Sequence, residues 1–205
     1  PFVVEYAHLF SPHNLNYFEK ENVKTILGDG RRWLAESKKL YDVISVGVDS
    51  PYLPGSGTLY SVEFFQLARK KLKAGGVFSI LVWGPDRALL IKSIRSVFPS
   101  LVLVPVYRES LIVIAFQANK LPERARLDRM SDETEKVFHA LGIKDTKFYF
   151  TSLLRVGDDL AKEHLKKEEL LDDTLPTDIH PFLEYGLSKE GSDLFSLGQR
   201  WKWRE

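Results

Sequence analysis

Three short stretches of the chain hold the side chains that could do chemistry. The first is Gly28-Asp29-Gly30. A carboxylate between two residues without side chains can accept hydrogen bonds from an amino group or a ribose hydroxyl, while the bare backbone lets a ligand come close. Asp29 is therefore the leading ligand-contact candidate; the bland alternative is a turn whose Asp caps the next helix. The second stretch is the loop from Gly47 to Gly57, rich in proline and glycine, which carries Asp49 and Tyr52, with Tyr60 just beyond it. Long ordered loops at strand ends often carry function, against an alternative in which Asp49 is merely solvated. The third is the turn from Trp83 to Asp86.

Other chemistries find no support. Gly28-x-Gly30 and Gly55-x-Gly57 each lack the third glycine of a dinucleotide fingerprint, and no Gly-Lys-Ser/Thr phosphate loop occurs, which disfavours nicotinamide and nucleoside triphosphate binding. His8, His13, His139, His164 and His180 form no i, i+4 pair, and there is no cysteine, so no metal site, thiol nucleophile or disulfide is expected. The serines lack the Gly-x-Ser-x-Gly elbow of hydrolases. The basic residues Arg69, Lys70, Lys71 and Lys73 read as a helix end complementing its dipole, not as a nucleic-acid surface.

The elements that must hold these stretches follow from periodicity. Phe2 to Phe10 places Val3, Ala7 and Phe10 at helical spacing. Val23 to Leu27 is apolar and β-branched and predicts a strand, then the Gly-Asp-Gly turn, then a helix over 31–39 with Trp33 and Leu34 facing one way. Tyr41 to Val48 predicts a second strand, and Ser61 caps a helix carrying Phe64, Phe65, Ala68 and Leu72. Gly75-Gly76 opens a strand from Val77 to Trp83, followed by a helix with Leu90, Ile94 and Phe98. Leu101 to Tyr107 and Leu111 to Phe116 are close enough to form a hairpin. Alternating strands and helices specify a mostly parallel, helix-covered α/β sheet, here closed by an antiparallel hairpin. Ligands of such sheets bind at the carboxyl ends of the strands, where all three stretches are expected. From Leu121 onward, helix-prone polar segments over 132–141, 148–156 and 158–171 predict a helical extension packed on a core formed by residues 1–120; the charge run from Lys162 to Asp173 reads as a solvated face.

Composition agrees with one ordinary folded domain. The 205 residues are 44% hydrophobic and 28% charged, and 29 Lys+Arg against 28 Asp+Glu leave no net field to recruit nucleic acid or anionic lipid. The longest apolar runs fall far short of the roughly 20 residues of a spanning helix, and neither an initiator Met nor a signal peptide opens the chain, so a cytoplasmic protein or a fragment of a longer one is expected.

Four pieces of sequence then stand in a familiar order: Leu27-Gly28-Asp29-Gly30-Arg31-Arg32-Trp33-Leu34; Tyr41-Asp42-Val43-Ile44; Pro51 with Leu59-Tyr60-Ser61-Val62-Glu63-Phe64-Phe65; and Leu72-Lys73-Ala74-Gly75-Gly76-Val77-Phe78. Together they resemble the spermidine synthase (polyamine aminopropyltransferase) family over roughly the first 120 residues. Thr177-Asp178-Ile179-His180-Pro181-Phe182-Leu183-Glu184-Tyr185 is similar to a Thr-Asp-Asp-x-Pro-x-x-Glu-Tyr segment of bacterial spermidine-synthase-like domains, some fused to membrane segments. The resemblance implies a class I methyltransferase-like (Rossmann-like) sheet binding decarboxylated S-adenosylmethionine or S-adenosylmethionine, with a small-molecule amine as acceptor and a homodimer as one arrangement. It gives the adenine contact to Asp29 and Gly30, and the thioether and amine pocket to Gly47, Pro51, Leu59 and Tyr60. It also implies a Gly-rich strand end and a ribose-binding acid upstream of Pro1, so the domain is expected to be N-terminally incomplete.

Two departures bear on chemistry. The acids that deprotonate and hold the amine in this family fall at Gly47 and Ser50, and an amine-contacting Gln falls near Ile80. Asp49 is the adjacent carboxylate and the candidate base, with Tyr60 as second catalytic candidate. Methyl transfer on the same scaffold, which needs no base, and a non-catalytic binding or assembly role are the alternatives.

Overall fold

The computed structural model describes residues 2–11, 13–14, 16–47, 51–84, 86–107, 110–118, 135–136, 138–139 and 175–178. The chain separates into two compact units, Pro1–Ser37 and Lys38–Glu205.

The first unit is short and mostly open. Helix α1 spans Phe2–Glu5, and a 3-10 turn follows over Ala7–Phe10. The single amphipathic helix expected over 2–10 is thus broken, with only Ala7 buried while Val3 is 80% and Phe10 65% exposed. So short a helix gains little by itself, and here its apolar side chains meet no packed face within the unit. The strand expected from Val23 to Leu27 does not form either: these residues pair with nothing among the described strands, and Leu27 is 64% exposed. β-branched composition offers a strand but cannot supply the neighbour whose ladder would make it one. Helix α2, Gly30–Glu36, does form and buries Leu34 but leaves Trp33 40% exposed.

The second unit holds a four-stranded sheet of order β1-β2-β4-β3, with β1 over Tyr41–Val46, β2 over Leu72–Val82, β3 over Ser100–Tyr107 and β4 over Ser110–Phe116. β1 runs parallel to β2, and the hairpin strands β3 and β4 pair antiparallel as expected. It is β4 that lies against β2, antiparallel, so β1, β2 and β3 all point one way and β4 alone opposes them. β2 starts five residues earlier than expected because Leu72 pairs with Tyr41 before the ladder shifts register. Gly76 is required where the two strands meet: a Cβ there would lie 2.9 Å from the Lys73 carbonyl and 3.1 Å from that of Tyr41.

Helix α3, Val62–Lys71, and helix α4, Arg87–Val97, pack on β2 and on each other. The core between them is aromatic. Phe78 of β2 stacks on Phe98 at 5.4 Å and meets Phe65 edge-on at 5.8 Å and Phe64 at 6.3 Å, separations at which ring quadrupoles attract. Leu90, Ile91 and Ile94 of α4 are wholly buried, as their helical spacing requires. β4 alternates buried and half-buried residues, so the second face of the sheet is only partly covered. Of the extension expected beyond residue 120, Glu135, Lys136, Phe138 and His139 are helical; nearly all the rest lies outside the described residues.

Candidate functional site

In the first unit, the chain turns at Gly28, whose φ of 153° suits a residue without a side chain, and Asp29 follows in extended conformation as the N-cap of α2. Its Oδ1 accepts a hydrogen bond from the Arg32 amide at 2.7 Å, the capping role weighed from the sequence. Its Oδ2 takes no partner among the described residues, and Gly28, Asp29 and Gly30 are all exposed. Among the described residues, the turn thus leaves one carboxylate oxygen without a partner beside exposed backbone. A cavity of about 210 Å³ in the same unit is lined by Val4, Ala7, His8, Asn14, Asn16, Phe18 and Glu19; neither Asp29 nor Gly30 lines it.

In the second unit, the parallel pairing of β1 and β2 brings their carboxyl ends to the same side. Gly47 leaves β1 there, exposed and without a carboxylate. Asp49 and Ser50 lie outside the described residues. Pro51 is buried and Leu59 half-buried on the returning loop. Tyr60 has no exposed surface, and its hydroxyl donates to the Leu81 carbonyl of β2 at 3.1 Å. That bond satisfies the one polar group the ring would otherwise strand in the core and ties the loop to the strand. Ile80, where the family's Gln falls, is 1% exposed and part of the core.

Tyr52, noticed in the sequence but given no role, organises this rim. It is 5% exposed; its hydroxyl accepts from the Asp86 amide at 3.4 Å, and its ring meets Trp83 edge-on at 5.8 Å. Burial, more than the nearby Asp86 carboxylate, pushes the phenol well above its usual pKa, so it is a neutral hydroxyl at any physiological pH. Gly84 makes the contact feasible: its φ is +91°, and a Cβ there would sit 2.7 Å from the Tyr52 hydroxyl oxygen. The loop after β1 is thereby latched to the turn after β2. The sequence signal was present in Tyr52 beside Pro51 and in Gly84-Pro85 after a strand, but nothing in it joined the two. Among the described residues, no group of three or more His, Asp or Glu side chains could hold a metal ion, and no helix is long and apolar enough to cross a membrane.

Comparison with known proteins gives this rim its context. Residues 1–127 match the spermine/spermidine synthase domain. The chain belongs to that family. A polyamine aminopropyltransferase of Nitrosomonas europaea is 32% identical over 115 residues, covering 51% of this chain and 35% of that protein. One of Alkaliphilus oremlandii is 28% identical over 182 residues, covering 82% of this chain and 61% of the relative. This family member therefore spans between about one third and three fifths of those relatives' lengths. Among solved structures, spermidine synthase from Thermotoga maritima aligns with a TM-score of 0.55 at 18% identity, covering 83% of this chain and 58% of that one. A spermidine synthase in complex with the transition state analogue AdoDATO aligns at 0.53 and 18% identity, covering 83% and 57%. Human methyltransferase-like protein 13 in complex with SAH aligns at 0.50 and 17% identity, covering 72% and 67%. At such identities the likeness is one of fold, and the fold is the Rossmann-like α/β sheet shared by spermidine synthases and methyltransferases.

Proposed function

We propose that this chain carries out aminopropyl transfer from decarboxylated S-adenosylmethionine to a small amine. The observation that carries the reading is the family domain over residues 1–127, set on parallel strands whose carboxyl-end loops hold Gly47, Pro51 and Leu59. By the family resemblance, Asp29 and Gly30 take the adenine, and Gly47, Pro51 and Leu59 take the thioether and the amine. In the reaction, the amine nitrogen attacks the aminopropyl carbon next to the sulfonium. The carbon–sulfur bond breaks with its electron pair on sulfur, leaving a neutral methylthioadenosine. Proximity supplies much of the acceleration, but an ammonium with a pKa near 10 must first lose its proton, which requires a base. With glycine at 47 and serine at 50, Asp49 takes that role. Tyr60, buried and bonded to Leu81, acts by holding the loop. Residues 1–120 form the transferase core and 121–205 an extension, the whole working on small molecules in the cytoplasm without a metal.

A second reading, methyl transfer from S-adenosylmethionine, is favoured by the missing acid at Gly47, since methyl transfer to a neutral nucleophile works by positioning alone. Product analysis by mass spectrometry separates the two. Spermidine from decarboxylated S-adenosylmethionine and putrescine supports the first; a methylated product from S-adenosylmethionine, with no aminopropyl product at saturating donor, replaces it with the second.

A further inference from the structure

Beyond the family domain, the Leu175-Pro176-Thr177-Asp178 segment returns to the loop after β1. It docks on the first turn of α3 through hydrogen bonds on both sides. The Val62 amide donates to the Pro176 carbonyl at 3.1 Å, the Ser61 hydroxyl donates to Asp178 Oδ1 at 2.6 Å, and the Asp178 amide donates to Glu63 Oε2 at 3.1 Å. Pro176 is buried, and Ser61 is 1% exposed.

Ser61 is the pivot. Its oxygen caps α3 by accepting from the Phe64 amide at 3.2 Å, but its single hydroxyl proton has two acceptors within reach: Asp178, and the Thr58 carbonyl at 3.1 Å. The shorter bond to an ionised carboxylate is the stronger. With Asp178 in place, the proton points outward to the returning segment. The competing acceptor, the Thr58 carbonyl, belongs to the 3-10 turn over Gly57–Tyr60, which holds Leu59 and Tyr60. A carboxylate here also complements the positive end of the α3 dipole, which offsets its closeness to Glu63.

We propose that Asp178 is a positioning residue for the acceptor side of the site: it sets the Ser61 hydroxyl and so the placement of Leu59. This rests on the aminopropyl-transfer reading. It gives the Thr177-Asp178 motif, which lies outside residues 1–127, a task in a site built by them.

The test uses the full chain with Asp178→Ala and Asp178→Asn, in two measurements. Hydrogen exchange at the Val62 and Phe64 amides reads the turn. Steady-state kinetics with decarboxylated S-adenosylmethionine and putrescine read the site. Asp178→Ala is expected to speed exchange at both amides and to raise the KM for putrescine roughly tenfold, the size of one charged hydrogen bond, with donor KM within about twofold. Asp178→Asn, which keeps an acceptor oxygen for Ser61, restores both. Unchanged exchange and unchanged putrescine KM in Asp178→Ala overturn the proposal, as does an equal loss of donor and amine affinity. If the wild-type chain transfers no aminopropyl group, the parent reading fails instead; exchange alone then decides whether Asp178 holds the turn.

Discussion

Asp29 caps α2 through Oδ1, and the adenine contact proposed for Oδ2 can be separated from that cap by substitution. Asn caps helices as well as Asp, so Asp29→Asn should leave thermal stability within about 0.5 kcal/mol of wild type. If Oδ2 takes the adenine, the same change should weaken methylthioadenosine binding about tenfold by calorimetry, because a charged acceptor becomes a neutral one. Unchanged affinity removes Asp29 from the site. Gly84→Ala is a harsher change. The left-handed backbone and the collision with the Tyr52 hydroxyl should together cost roughly 1–3 kcal/mol in chemical denaturation, and Tyr52→Phe in the same chain should return only the part due to the hydroxyl. The Tyr52 phenol also carries a pH signature. Its folded pKa is raised above the unfolded value, so the stability linked to it is fully present below pH ~10 and is lost as pH rises beyond, when the unfolded chain releases the proton more readily. Tyr52→Phe should flatten that alkaline decline. At this scale the sequence disclosed the capping Asp, since cap, turn and helix are neighbours along the chain. It was silent on Tyr52 because its partners stand over thirty residues away, and only space brings them together.

Among the elements, those that packed were legible and those that did not were misread. β1, β2, the hairpin and helices α3 and α4 followed from apolar runs and caps, because each finds the partner its pattern demands. Val23 to Leu27 carries an equally good strand pattern and pairs with nothing among the described strands, so composition and outcome part company there. The placement of β4 between β2 and β3 was not legible: a hairpin read from its turn does not say which of its arms meets the older sheet. Ser61→Ala should cost about 1 kcal/mol through the lost cap of α3. By contrast, Lys73→Met should cost less than about 1 kcal/mol, since the Lys73–Asp42 pair at 2.7 Å is exposed on both sides and screened by solvent. Urea melts of the two variants give the comparison directly.

At the scale of the molecule, stability concentrates where α3 and α4 close on β2, and Phe78 sits at the centre of four rings. Phe78→Ala should cost about 3–5 kcal/mol and leave a chain that fails to melt cooperatively. The second unit is held at both ends of α3: by the segment around Asp178 at its start, and at its finish by Leu72, which caps the helix and opens β2 without a linker. β1 is less covered among the described residues. It is the outermost described strand on its side, none of its six residues is buried, and Val43 is 61% exposed. An edge strand flanked by β-branched side chains is a template for pairing with another chain. In concentrated solution these 205 residues should therefore self-associate edge to edge, and a lysine at position 43 should act as a gatekeeper that keeps them apart.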